Sequence, residues 1–89
     1  MHEELPERLR HLLDLQVDVE RADLACRKAA GRDDTRALNQ GRAARLDAMR
    51  ALITARAAAG ADSAPDRDLL KTAALAVLAA ERGNAHNRA

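Results

Sequence analysis

Residues 24–38, LACRKAAGRDDTRAL, join two long helical patterns through a short polar turn. Gly31 is of the residue type that most often follows the last residue of a helix. Asp33 or Asp34 can accept a hydrogen bond from the first backbone N–H groups of the next helix. Because so few residues separate the two helices, we expect them to fold back on each other as an antiparallel hairpin.

The helix start and stop signals predict three helices, at about residues 4–30, 34–59 and 64–82, in a single domain of residues 1–84 with a frayed tail at 85–89. Gly60 can end the second helix, and Ser63 with Asp66 forms a variant of the capping box at the start of the third. Gly83 is expected to stop the third helix. The predicted fold class is all-α: an antiparallel hairpin of two long helices plus a shorter C-terminal helix, in a three-helix bundle or coiled-coil-like arrangement.

Composition supports helices that pack at close range. The chain has 22 Ala and 13 Leu among 89 residues, and no Phe, Tyr or Trp. Aromatic rings supply much of the buried area of ordinary cores, whereas each Ala buries little. A domain this small is therefore thinly stabilised, so we expect it to self-associate or to bind a partner helix.

Apolar residues form more than one stripe on each of the first two helices. Helix one has two stripes, namely Leu5, Leu9, Leu12, Val19 and Cys26, and beside them Leu13, Val17 and Leu24. Helix two has a leucine-rich face, with Leu38, Leu46, Met49, Leu52 and Ile53, and a flatter face of Gly41 and alanines. Two apolar faces predict two neighbours. We expect the leucine-rich face of helix two to meet one helix and its small-residue face to meet another.

The third helix contains eight consecutive apolar residues, AALAVLAA at 73–80. If Leu70 and Val77 dock on the hairpin, Leu75 and Leu78 point away from it. A helix that is apolar all round is normally buried all round, although Ala is also simply a good helix former. The run therefore favours an intermolecular contact on this helix.

Charge is divided between the helices. Residues 1–34 carry 6 basic and 9 acidic side chains, residues 35–61 carry 5 Arg and one Asp, and residues 62–89 carry four of each. This division favours packing of helix one on helix two, although exposed ion pairs stabilise little. Arg42, Arg45 and Arg56 project beside the leucine-rich face. They either extend their guanidinium groups to water or to the acids of helix one, or form an anion or carboxylate site.

Several function classes find no support in the residues. No zinc-finger spacing, stacking aromatic or overall basic charge points to nucleic-acid binding, since the net charge is +1. His2, His11 and His86 are scattered, without acid or Cys partners at metal-ligand spacing. No glycine-rich loop or catalytic cluster is present, so we expect no metal, no cofactor and no enzymatic activity. Cys26 is expected to be buried. With no 18-residue apolar run and an acidic N-terminus, we expect no membrane span and a cytoplasmic protein.

The layout of residues 9–80, centred on the 24–38 turn, resembles the small helical-hairpin chaperones of flagellar and type III secretion export. The resemblance implies that helix three, or the groove it covers, clamps a helix of another protein. The contacts would then be Leu70, Leu75, Val77 and Leu78. We therefore expect a non-enzymatic protein-binding module, chaperone- or adaptor-like. Two alternatives stay open: a self-assembling helical oligomer whose arginine-lined cleft binds a small anion or nucleotide, and a small nucleic-acid-binding regulator.

Overall fold

The computed structural model describes residues 5–88, with side chains through residue 84. This part of the chain is all-α, as predicted, and contains no strand. It has four helices: α1 (Glu7–Arg10), α2 (Leu13–Gly31), α3 (Thr35–Ala59) and α4 (Ala64–Arg88). No helix within residues 5–88 is both long and apolar enough to cross a lipid bilayer.

The predicted first helix is two helices, because the chain turns at residues 11 and 12. Leu12 donates its backbone N–H to the carbonyl of Leu9 at 2.9 Å, a tighter turn than α-helical spacing gives. Leu9 and Leu12 on either side of the turn are both fully buried. The predicted start near residue 4 lies outside the described residues.

The connection between α2 and α3 differs in detail from the prediction. Asp34 caps α3 as expected, because its side chain accepts a hydrogen bond from the N–H of Ala37 at 3.0 Å. Gly31, however, is the last residue of α2 and does not occupy the left-handed position after it. Asp33 takes that position instead, with φ of 54°. An Asp side chain tolerates this conformation better than most residues.

The ends of α4 were predicted correctly only at its start. Gly60 ends α3 with φ of 65°, and the Ser63 hydroxyl accepts a hydrogen bond from the N–H of Asp66 at 3.2 Å. The predicted stop at Gly83 is wrong, and so is the prediction that α4 is shorter than the others. It runs for 25 residues, through most of the predicted tail, and only Ala89 lies outside the described residues. A single Gly costs a helix only about 1 kcal/mol, which does not oblige it to end.

Helix α2 lies between α3 and α4, each of which packs against it. Cys26 of α2 lies against Gly41 of α3, whereas Val17 packs with Ala74 and Leu78 of α4. Cys26 and Val17 are nine positions apart, which places them about 180° apart around the helix. The two partners therefore occupy opposite faces of α2 and make almost no direct contact with each other.

This arrangement makes the molecule flat, with Cα extents of 39 × 32 × 17 Å. It is not a bundle in which three helices share one central core. One cluster, at the connection between α3 and α4, joins Leu9 and Leu12 to Ala61 and Leu70. A second cluster lies between α2 and α4 and includes Val17.

The side of α3 that packs on α2 combines residues of both predicted faces. Gly41 and Leu52 are buried and Ala48 is half-buried, whereas Leu46 and Ile53 are exposed. The prediction assigned one helix to each face, and in the described part of the chain no helix covers Leu46 or Ile53 of the leucine-rich face. Small side chains let two helices approach closely, and α4 lies too far round α2 to cover what remains of α3.

Candidate functional site

A groove of about 530 Å³ lies between α3 and α4, with one side of α2 as its floor. The two helices meet at residues 60–63 and lie on opposite sides of α2. The lining residues are Gln16, Val19, Glu20, Asp23 and Arg27 of α2, Arg45, Met49, Leu52 and Arg56 of α3, and Ala64, Arg67, Asp68 and Lys71 of α4. We refer to this surface, with the extension described next, as the α3–α4 groove.

The groove continues along α4 toward its C-terminal end. A second concave region adds Leu24, Leu75, Ala76, Leu78, Ala79 and Arg82, and shares Glu20, Asp23, Arg27 and Lys71 with the first. On α4 the lining therefore runs from Ala64 to Arg82. At 1.5 Å per residue this is about 27 Å, or five turns of helix.

Both walls of the groove carry exposed apolar side chains. Met49 on α3 is 37% exposed, and Leu75 on α4 is 47% exposed. Leu46 and Ile53 are exposed on α3 as well. They lie within about 60° of Met49 around that helix, so the apolar surface continues from the wall to the outside of α3. An apolar patch of this kind is typical of a site that binds another protein.

The charges in the groove are mostly basic. Its lining includes six basic side chains and three acidic ones. Asp23 is neutralised by Arg45, whose guanidinium donates to it at 3.0 Å, and by Arg27 at 2.9 Å. Between residues 5 and 84, no carboxylate lies within ion-pair distance of Arg67, Lys71 or Arg82. The α4 wall therefore presents three basic groups that form no ion pair within this stretch, together with one acidic residue, Asp68.

Two polar groups in the floor and on the α3 wall have unused hydrogen-bonding capacity. The Arg56 side chain is only 12% exposed, and its Nε lies 3.4 Å from Oδ1 of Asp62 without hydrogen-bond geometry. Gln16 is buried and donates its amide N–H to Glu20 at 3.0 Å. Its carbonyl oxygen has no partner within the described part of the chain. These groups lie toward the Ala64 end of the groove.

The structure separates the four residues predicted to contact a partner. Leu70 is fully buried and Leu78 is 7% exposed, because both pack in the chain's own clusters against α1 and α2. Val77 is half-buried in the second cluster. The prediction that Leu78 points away from the other helices is therefore wrong. Of the four, Leu75 is the one with a largely exposed side chain.

The three arginines predicted as an anion site are not brought together. Arg42 is exposed and does not line the groove. Arg45 and Arg56 do line it, and each is paired with a carboxylate of this chain. The sequence reasoning missed Met49, Arg67 and Lys71. A signal was available in α4, because residues 67, 71 and 75 follow one another at four-residue spacing and so share one face.

The described residues offer little titratable chemistry. Between residues 5 and 84, no group of three or more His, Cys, Asp or Glu side chains is placed to hold a metal ion. Cys26 is buried, as predicted. The clearest electrostatic perturbation lies outside the groove, where a hydrogen bond from Arg8 lowers the pKa of Asp66. The geometry thus favours binding through apolar and basic side chains.

Comparison of the chain with protein-family models, with curated protein sequences and with solved structures finds no significant match.

Proposed function

We propose that this protein is a non-enzymatic helical binding module, adaptor- or chaperone-like, that receives an amphipathic helix of a partner protein in the α3–α4 groove. In this proposal α2 and α3 act as an antiparallel hairpin, and α4 provides the second wall. The observation that carries the proposal is the exposure of Met49 on α3 and of Leu75 on α4, in two concave regions that adjoin along α2 and share four lining residues.

The physical basis is the burial of apolar surface. An amphipathic helix can lay its apolar face into a groove and leave its polar face in water. Each Å² of apolar surface removed from water contributes roughly 25 cal/mol before the costs of association. Leu46 and Ile53 extend the available area beyond the groove itself.

The test uses a fluorescein-labelled peptide of 18 residues that forms an amphipathic helix, with a Leu stripe and an outer face of Gln and Ser. Its binding is followed by fluorescence anisotropy. We expect saturable binding, and we expect Leu75→Asp to weaken it at least tenfold because the substitution places a charge in the apolar contact. Circular dichroism should show unchanged helicity, since Leu75 is 47% exposed.

Leu69→Asp is the matched control. Leu69 is 38% exposed on the same helix but does not line the groove. We expect this variant to bind the peptide as the unmodified chain does. Equal losses for the two variants, or no peptide binding at all, would contradict the proposal.

A further inference from the structure

We propose that the partner helix is acidic, with carboxylates flanking its apolar face. This inference rests on the proposed function and specifies the chemistry of the partner. Its basis is the charge of the groove, where basic side chains outnumber acidic ones by six to three in a chain whose overall net charge is only +1. The basic charge is therefore concentrated at this surface.

The positions of the three basic groups without an ion-pair partner, Arg67, Lys71 and Arg82, matter more than the number of basic groups in the groove. Arg67 and Lys71 lie about two turns and one turn before Leu75 on the same face of α4, and Arg82 lies about two turns after it. A docked helix that buries an apolar stripe against Leu75 would bring the residues beside that stripe close to these three groups. Glu or Asp at those positions gains charge-assisted contacts, whereas Lys or Arg meets repulsion.

A second copy of this chain is a poor occupant for the same reason. Among the described residues, the longest exposed apolar stripe that a copy could offer is on α3, the segment with 5 Arg and one Asp between residues 35 and 61, whereas α4 exposes only Leu69 and Leu75. Docking that stripe in the groove would oppose basic side chains to basic side chains. Like charges brought together in this way disfavour the association.

A small anion is also a poor occupant. The two groove arginines with buried or half-buried side chains, Arg45 and Arg56, already have carboxylate partners in this chain. The groups without partners, Arg67, Lys71 and Arg82, are spread along 15 residues of α4, which is about 22 Å. A single phosphate-sized ion cannot contact all three groups at that separation, but successive turns of a helix can.

The experiment compares three 18-residue amphipathic peptides with the same Leu stripe and with Glu, Gln or Lys at the flanking positions. At low ionic strength we expect the Glu peptide to bind at least tenfold more tightly than the Lys peptide, with the Gln peptide between them. Added salt should reduce the difference between the Glu and Lys peptides.

Charge reversal in the groove should invert this order. We expect Arg67→Glu with Lys71→Glu to bind the Lys peptide more tightly than the Glu peptide. The control is Lys28→Glu with Arg36→Glu, which makes the same change in net charge at exposed residues outside the groove and should keep the original order. If circular dichroism shows that the charge-reversed protein has lost helicity, Arg67→Gln with Lys71→Gln is used in its place. We expect this variant to lose the preference for the Glu peptide over the Lys peptide.

The possible failures are distinguishable. If the three peptides bind equally, or if charge reversal leaves their order unchanged, the acidic-partner inference is wrong and the proposed function stands. If none binds, both are wrong. Displacement of the Glu peptide by inorganic phosphate at equal concentration would indicate a small-anion site and overturn the inference. If light scattering shows a dimer that dissociates when the peptide binds, a second copy of the chain is the competing occupant, and this outcome would also overturn the inference.

Discussion

At the scale of single residues, the tightest point of the fold is the approach of α3 to α2 at Gly41. A Cβ atom at this position would lie 3.0 Å from the Sγ of Cys26, and 3.5 Å from its backbone nitrogen. Cys26 is buried, so its side chain has little room to move away. Gly41 therefore sets how closely the two helices pack.

This contact predicts coupling between the two residues. In an exposed helix, Gly→Ala stabilises by about 1 kcal/mol because Ala has the higher helix propensity. In the unmodified chain, we expect Gly41→Ala to raise the free energy of unfolding by less than this, or to lower it. In a Cys26→Ala background, we expect the change caused by Gly41→Ala to be about 1 kcal/mol more favourable. Urea unfolding of the four proteins in this double-mutant cycle measures the difference, and additive effects would contradict the contact.

Capping residues and glycines predicted some of the helix ends correctly and others incorrectly. Asp34, Gly60 and Ser63 act as their residue types suggest. Gly31 is the last residue of α2 and not the residue that follows it, and Gly83 lies inside α4, because a helix tolerates Gly at a modest cost when its next residues still form good hydrogen bonds. The left-handed residue after α2 is Asp33. Asp adopts this conformation less readily than Gly does, so an Asp at this position is only a weak signal for it.

At the scale of the elements, one ion pair fastens α1 to α4. Arg8 donates to both carboxylate oxygens of Asp66, at 2.8 and 2.6 Å. The Asp66 side chain is mostly buried, and it also lies next to the start of α4, where negative charge is favourable. The hydrogen bond from Arg8 lowers the pKa of Asp66 in the folded chain.

The lowered pKa gives a pH dependence of known sign. A carboxyl whose pKa is lower in the folded state stabilises the fold above its unfolded pKa, about 3.9, and that stabilisation is lost as pH falls through the folded value. We expect Asp66→Asn to lower the Tm at pH 7 and to have a much smaller effect at about pH 2. Thermal melts by circular dichroism at both values check this, and a pH-independent difference between the two proteins would contradict it.

The sequence indicated which helices exist better than which faces they bury. The two stripes of α2 correctly predicted two neighbours, because Val17 and Cys26 face opposite partners. For α3, both faces were apolar enough to pack, and hydrophobic periodicity could not rank them. Residues 11 and 12, where the chain turns, include no Gly or Pro that could have indicated the turn. The turn accompanies the burial of Leu9 and Leu12 in the tertiary core, which local sequence does not reveal.

At the scale of the whole molecule, the flat arrangement is the feature that the sequence did not predict. The third helix was expected to dock on the hairpin in a three-helix bundle, but α4 packs on the side of α2 that faces away from α3. The site was predicted only in part, since Leu75 keeps the partner-facing role that was expected of it in the proposed mode of binding, whereas Leu70 and Leu78 are buried and Met49 was not predicted.

The shape itself can be measured. The Cα radius of gyration is 14.3 Å, whereas a compact globule of 89 residues would have about 12 Å. We expect small-angle scattering of the monomer to give a value nearer the larger figure and a distance distribution of a flattened particle. A value near the smaller figure would indicate a closed bundle.

Because α3 and α4 make almost no contact with each other, few direct interactions fix the distance between them. A change in that distance is limited instead by the packing of each helix on α2. A bound helix that touches both walls would restrict this motion, and the lost entropy would offset part of the affinity. In the proposed mode of binding, the compliance that would admit partner helices of different size would thus also limit how tightly any one of them is held.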